Sequence, residues 1–135
     1  MAGRFRIRTG VDIIEIARVA GAYRRRPESF LRHLFTRKEQ RQLAARNYAA
    51  RHLAARFAGK EAIFKLLGMG MGQLCWKEVE ILSLPGGEPR VYLHGRAKAR
   101  AKELSLVDIA LSLSHSREYA VAQACALAED GAEDK

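Results

Sequence analysis

The chain has little of what staples, breaks or stacks a fold. Its 135 residues include two cysteines, three prolines and one tryptophan, and aromatic residues make up 7%. Cys75 and Cys125 stand far apart and outside any Cys-x-x-Cys pattern, which gives no sign of a disulfide framework. Two buried free thiols in a reducing compartment are expected instead. Long apolar runs are missing too: the longest uncharged stretch, residues 66–76, is too short to span a bilayer. Arg4, Arg6 and Arg8 precede an apolar segment that Asp12 and Glu15 interrupt, which does not read as a signal peptide. A soluble, cytoplasmic protein without a membrane segment is expected.

Acidic residues are the other shortage. Lys and Arg number 24 against 15 Asp and Glu, a net charge of +9, and 17 of the 24 cations are arginine. Four acids (Glu129, Asp130, Glu133 and Asp134) lie in the last seven residues, so the body up to Ala128 has 23 cations against 11 acids, or +12. Such a surface favours polyanions: nucleic acid, a phosphate-rich ligand or an acidic protein. Arginine favours bidentate phosphate or carboxylate contacts over point-charge attraction. The length suits one domain, residues 1–127, followed by an acidic, disordered tail at 128–135. A chain of this size buries roughly two-thirds of its unfolded surface, enough for a core without staples.

Phe5, Ile7, Thr9 and Val11 alternate with Arg4, Arg6, Arg8 and Gly10, which predicts a half-buried strand with Asp12 emerging near its end on the arginine-bearing side. A helix over 14–23 follows, and Arg24-Arg25-Arg26-Pro27 ends it. Phe30, Leu31, Leu34 and Phe35 form an apolar cluster, and Thr36 with Glu39 has capping-box spacing for a helix running towards Tyr48. A longer helix covers 50–67 and stops at Gly68. Strands at 79–84 and 90–94 flank a Pro-Gly-Gly turn, a basic helix covers 95–104, and two alternating runs make a late hairpin with His115-Ser116-Arg117 at its tip. Strands and helices do not alternate strictly, so the fold class is α+β, with an antiparallel sheet packed against helices.

Residues 56–72 concentrate the chemistry, placing a carboxylate among cations on a helix that runs into three alternating glycines. Glu61 has Lys60 beside it, Lys65 one turn later and Arg56 a turn before Lys60. At about 100° per residue Glu61 falls on the border of the apolar stripe, where desolvation is expected. A plain Glu61–Lys65 helix pair, worth ~0.3–0.5 kcal/mol, explains the same spacing. Asp12, closing the first strand, serves equally as a helix cap or as a second carboxylate. Together, an acid from a strand end and one from a helix suit Mg²⁺, which takes one or two protein carboxylates when phosphate supplies the rest. Gly68, Gly70 and Gly72 fit neither the Walker A nor the dinucleotide spacing. They end a helix, and their missing Cβ atoms also let backbone N–H groups approach a phosphate. His115 is either a solvated turn residue or a phosphate contact. His33, His52 and His94 lack metal-ligand spacing and receive no role.

Four ordered blocks resemble the holo-acyl-carrier-protein synthases, the small bacterial 4′-phosphopantetheinyl transferases. They are Gly10-Val11-Asp12-Ile13-Ile14-Glu15-Ile16 with Arg18, the segment 30–39, the segment 56–72, and the Ser-x-Ser-His…Tyr-Ala-x-Ala hairpin at 111–122. The resemblance implies an α+β fold and transfer of 4′-phosphopantetheine from coenzyme A to a serine of an acidic apo acyl carrier protein, releasing 3′,5′-ADP. It further implies a homotrimer with active sites shared between neighbouring subunits. Asp12 and Glu61 match the family's magnesium ligands, and Lys65 its phosphate-binding lysine. Arg56, Lys60 and His115 fall where coenzyme A phosphates are expected, and Gly68, Gly70 and Gly72 border the coenzyme. Arg18, with Arg25 and Arg26, matches the surface that receives the carrier. Glu61 and Lys65 are the expected catalytic residues.

Three positions depart from the family pattern. Phe64 stands where a small residue is usual, Arg8 replaces the first glycine of the Gly-x-Gly-x-Asp opening, and Gly59 breaks an alanine pair. Two competing readings are a basic nucleic-acid-binding module and a catalytically silent relative that docks a carrier. The first lacks an aromatic stacking platform, and acids at positions 12 and 61 would repel a nucleic-acid backbone unless a metal intervened.

Overall fold

A computed structural model describes residues 3–70 and 75–129. The element order is β1 (Phe5–Glu15), α1 (Ile16–Arg25), α2 (Pro27–Leu34), α3 (Arg37–Ala44) and α4 (Ala50–Leu67), then a 3-10 turn (Trp76–Glu78), β2 (Val79–Ser83), β3 (Pro89–Leu93), α5 (Gly95–Glu103), β4 (Leu106–His115) and β5 (Tyr119–Glu129). Two antiparallel sheets form, β1-β5-β4 and the β2-β3 hairpin. The α+β expectation holds.

Helix α4 lies across the three-stranded sheet, and small residues set how closely it approaches. Ala120, Ala122, Ala124 and Ala126 line the buried side of β5, flanked by Ile109, Leu111 and Leu113 of β4. On β1 the facing position is Gly10, where a Cβ would stand 2.0 Å from the Ala62 carbonyl oxygen and 2.8 Å from the Leu66 nitrogen. Gly59, one turn before Ala62, serves the part of the helix that faces β2 and β4, since a Cβ there would meet Ile81 Cδ1 at 2.8 Å and Leu113 Cδ2 at 3.2 Å. That is the packing reason for the broken alanine pair. One core lies between α4, the sheet, β2-β3 and α5, and a second between α1, α2, α3 and the first half of α4.

β1 is half-buried in the direction opposite to its apolar pattern. Arg8, Gly10, Asp12 and Ile14 face α4, while Ile7, Val11 and Ile13 are 67%, 58% and 64% exposed. Ile7 pairs with Leu127, Val11 with Gln123 and Ile13 with Val121 on the same open face. Among the described residues nothing covers this apolar sheet face.

Several boundaries move. Pro27 starts a helix of its own at the N1 position, so the cluster at 30–35 belongs mostly to α2. β5 continues through Ala128, 1% exposed, to Glu129, because the strand stays paired with β1 as far as Phe5. The domain body therefore passes residue 127, and residues 130–135 lie outside the described residues. Cys75 and Cys125 are free, as expected, but exposed and not buried. Cys125 sits on the open face of β5 opposite Thr9. Among the described residues no helix is long and apolar enough to cross a membrane.

Candidate active site

Asp12 enters from β1 and Glu61 and Lys65 from α4, brought together by the contact at Gly10. Lys65 Nζ donates to Asp12 Oδ1 at 3.1 Å and to the Val11 carbonyl at 3.0 Å. Thus Lys65 reaches across to the strand. Burial pushes the Glu61 carboxyl above its ordinary value, the Asp12 charge adds to that, and Lys65 opposes it. Two carboxylates close enough to repel, with one ammonium that is 55% exposed, are short of positive charge. Among the described residues no cluster of three or more His, Cys, Asp or Glu could enclose an ion. Two carboxylates are a donor set that Mg²⁺ accepts when waters and phosphate oxygens supply the rest.

The end of α4 is held by cations. Gly68 closes the helix at φ 68°, Arg8 Nε donates to the Leu66 carbonyl and Arg100 Nε to the Leu67 carbonyl, each at 2.9 Å. The guanidinium that replaces the usual glycine at position 8 thereby satisfies an orphan carbonyl of α4. Gly68 and Gly70 are exposed, while Gly72 lies outside the described residues.

Lys60 does not reach the site. Its side chain is 0% exposed, and Nζ donates to Glu39 Oε1 and the Trp76 carbonyl, each at 3.0 Å, and to the Val79 carbonyl. Glu39 also accepts from the Thr36 and Ile81 amides, so the capping box of α3 is tied to β2 and α4 at one buried ion pair. No proton of Lys60 is left for a coenzyme phosphate. Its assignment as a phosphate contact is corrected to a structural junction.

Arg56 and His115 occupy a second place. A cavity of about 380 Å³ is lined by Arg46, His52, Arg56, Ser83, Ser114 and His115 over an apolar floor that includes Leu43 and Leu113. Arg56 Nη2 donates to Ser83 Oγ, and among the described residues no carboxylate pairs with it. Among the described residues the cavity lining contains no acid. Arg46 and His52 were missed by sequence reasoning, although the His52–Arg56 spacing of one helical turn was a usable signal. At about 100° per residue, His52 and Arg56 project from the side of α4 opposite to Glu61 and Lys65. Asp12 lies on one edge strand of the sheet and His115 on the other.

Phe64 is 2% exposed and meets Trp76 edge-on at 5.5 Å, with Phe57 on the same indole at 5.0 Å. The bulky residue in a small-residue position is thus spent inside the core. A third surface lies on α1 and α2. Arg18 and Arg25 flank a groove of about 320 Å³ floored by Ile14, Val19, Phe30 and Phe57. Arg26 is exposed between the two helices and does not line the groove.

Residues 8–124 match the model of the 4′-phosphopantetheinyl transferase superfamily. The holo-[acyl-carrier-protein] synthase of Natranaerobius thermophilus is 45% identical over 115 residues, 85% of this chain and 92% of that protein. The Plasmodium yoelii acyl carrier protein synthase with ADP bound superposes with a TM-score of 0.82 at 29% identity, covering 95% of this chain and all of that one. The Helicobacter pylori holo-[acyl-carrier-protein] synthase in complex with coenzyme A superposes at 0.77 and 26% identity, covering 87% and 98%. With the fold, four sequence blocks and these similarities in agreement, the chain is a member of the 4′-phosphopantetheinyl transferase superfamily, within its holo-[acyl-carrier-protein] synthase group.

Proposed function

We propose that the protein transfers 4′-phosphopantetheine from coenzyme A to a serine hydroxyl of an apo acyl carrier protein. The convergence of Asp12, Glu61 and Lys65 carries this reading, supported by the coenzyme A complex of a relative with the same fold. Asp12 and Glu61 would hold Mg²⁺, which when bound neutralises charge on the pyrophosphate oxygens. The serine oxygen attacks the β-phosphorus, the bond from that phosphorus to the bridging oxygen breaks, and 3′,5′-ADP leaves with that oxygen. Glu61, beside the reacting centre, receives the serine proton directly or through a water it orients. Lys65 swings from Asp12 to the developing phosphoryl charge, a short move for an ammonium that is half exposed.

Arg56 and His115, in an acid-free cavity, bind a further phosphate of the coenzyme. The body of α4 separates that cavity from Glu61 in one protomer, so a single coenzyme reaches both only if the cavity comes from a neighbouring copy. The open apolar face of β1 and β5 supplies a surface for that association, and we assign the assembly as a homotrimer. Acidic residues of the carrier meet Arg18, Arg25 and Arg26, with an apolar side chain in the groove over Phe30 and Phe57. Two exposed free thiols suit the cytoplasm.

Incubation with coenzyme A, Mg²⁺ and an apo acyl carrier protein, read by intact mass, is expected to add phosphopantetheine to the carrier. Absence of the adduct with every carrier tried, from a folded protein, would overturn the assignment. Light scattering should return three times the chain mass, and a monomer would refute the shared site.

A further inference from the structure

The cavity that holds Arg56 and His115 contains a second imidazole. His52 sits one turn before Arg56 on α4, its ring centroid 6.5 Å from that of His115 and at 74° to it. Neither imidazole has a hydrogen-bond partner among the described residues, and the lining offers them no carboxylate. Among the described residues every charged group that acts on His52 is a cation or becomes one: Arg46 beyond α3, Arg51 and Arg56 on α4, and His115 on β4, while β2 contributes the uncharged Ser83. A half-buried imidazole with free nitrogens, ringed by cations, is arranged to receive an anion.

We propose that His52 is a binding residue for a coenzyme phosphate in this cavity and that it takes up a proton as the phosphate enters. The proposal rests on the reading of the cavity as a phosphate site and adds a proton to its binding equilibrium. Burial, then the charges of Arg51, Arg46, Arg56 and His115, push His52 below its ordinary value, so the ligand-free protein holds it neutral at pH 7. A phosphate dianion reverses the local field and favours the imidazolium, which offers N–H donors at both ring nitrogens. Linkage then requires that binding consume a proton and that affinity strengthen as pH falls, by up to about tenfold per pH unit for one linked proton.

The test is calorimetry of 3′,5′-ADP binding at pH 6, 7 and 8.5, in buffers of different ionisation heat so that protons are counted. Wild type is compared with His52→Gln and His52→Phe, two variants of different shape so that one fold failure does not end the experiment. Arg56→Gln serves as the control for the cavity. The ligand titrates identically in every arm, so differences belong to the protein. Both His52 variants are expected to take up fewer protons at pH 7 and to lose several-fold of the gain in affinity between pH 8.5 and pH 6. Equal proton uptake by wild type and both variants would overturn the role of His52. If Arg56→Gln also left affinity within about twofold at every pH, the phosphate reading of the cavity itself would fall, which is a separate and recognisable result.

Discussion

Gly10→Ala places one methyl group where α4 crosses β1. The new carbon would start 2.0 Å from the Ala62 carbonyl oxygen, against an ordinary contact of 3.4 Å or more, so strand and helix must part by about 1.4 Å along that line. Both obstructing groups, Ala62 O and Leu66 N, are backbone, and no side chain can rotate out of the way. Overpacking of this kind costs roughly 1–3 kcal/mol, with the upper end expected here because only rigid elements can yield. At about 4 °C per kcal/mol for a domain of this size, the melting temperature should fall by about 10 °C. Activity should suffer more. Asp12 stands two residues along β1 from Gly10, while Glu61 and Lys65 flank the crossing on α4, so the separation opens directly between the two halves of the site. Misplacement of about 1 Å costs on the order of 100-fold in rate. The assays are thermal unfolding and kcat/KM for transfer to a carrier, measured below the variant's melting point. A variant melting within 1–2 °C of wild type with normal kcat/KM would refute the idea that this crossing sets the spacing.

Lys60→Met should cost about 3–5 kcal/mol in urea unfolding, because Glu39 is left charged and unpaired. Adding Glu39→Gln should recover part of that loss, and no recovery would deny the ion pair its structural role. Glu61 holds its proton more tightly in the fold than in the unfolded chain, so its contribution to stability should fade as pH rises from the ordinary carboxylate range through the raised value. Asp12→Asn should flatten that dependence in melting curves between pH 4 and 7 while abolishing transfer, and an unchanged curve would remove Asp12 as a cause. Ile7→Glu with Val11→Glu should dissociate the proposed trimer in light scattering and with it eliminate turnover. Glu61→Gln and Arg56→Gln subunits, each inactive alone, should regain activity when unfolded and refolded together. Failure of that complementation would place both clusters in one subunit's site.

Local signals were legible where chemistry and backbone agreed. The Thr36–Glu39 capping box, the αL stop at Gly68 and the full extent of α4 follow from residue type and spacing. Asp12, Glu61 and Lys65 were readable as a set, though the Lys65–Asp12 contact was not, because the helix alone suggested Glu61 as the partner of Lys65. Lys60 misled: a lysine beside a functional carboxylate looks like a ligand group, and only the return of residues 76–79 over α4 swallows it. β1 misled in another way, since alternation tells that two faces differ but not which of them its own chain covers. Of the groups around His52, Arg46, Arg51 and Arg56 are near in sequence, and only His115, brought in by β4, lies at a separation no local pattern reports.

The alanine column on β5 and the glycine on β1 have a practical consequence for anyone redesigning this protein. Because the helix rests on the sheet almost main chain to main chain, the distance from Asp12 to Glu61 is fixed by peptide geometry and hardly at all by bulky side chains. Larger residues such as Phe35, Leu43 and Leu53 belong to the second core, apart from the one that contains Ala62 and Leu66. Heat tolerance and catalytic geometry are therefore nearly independent adjustments, and a library confined to those larger positions can be screened for one without eroding the other.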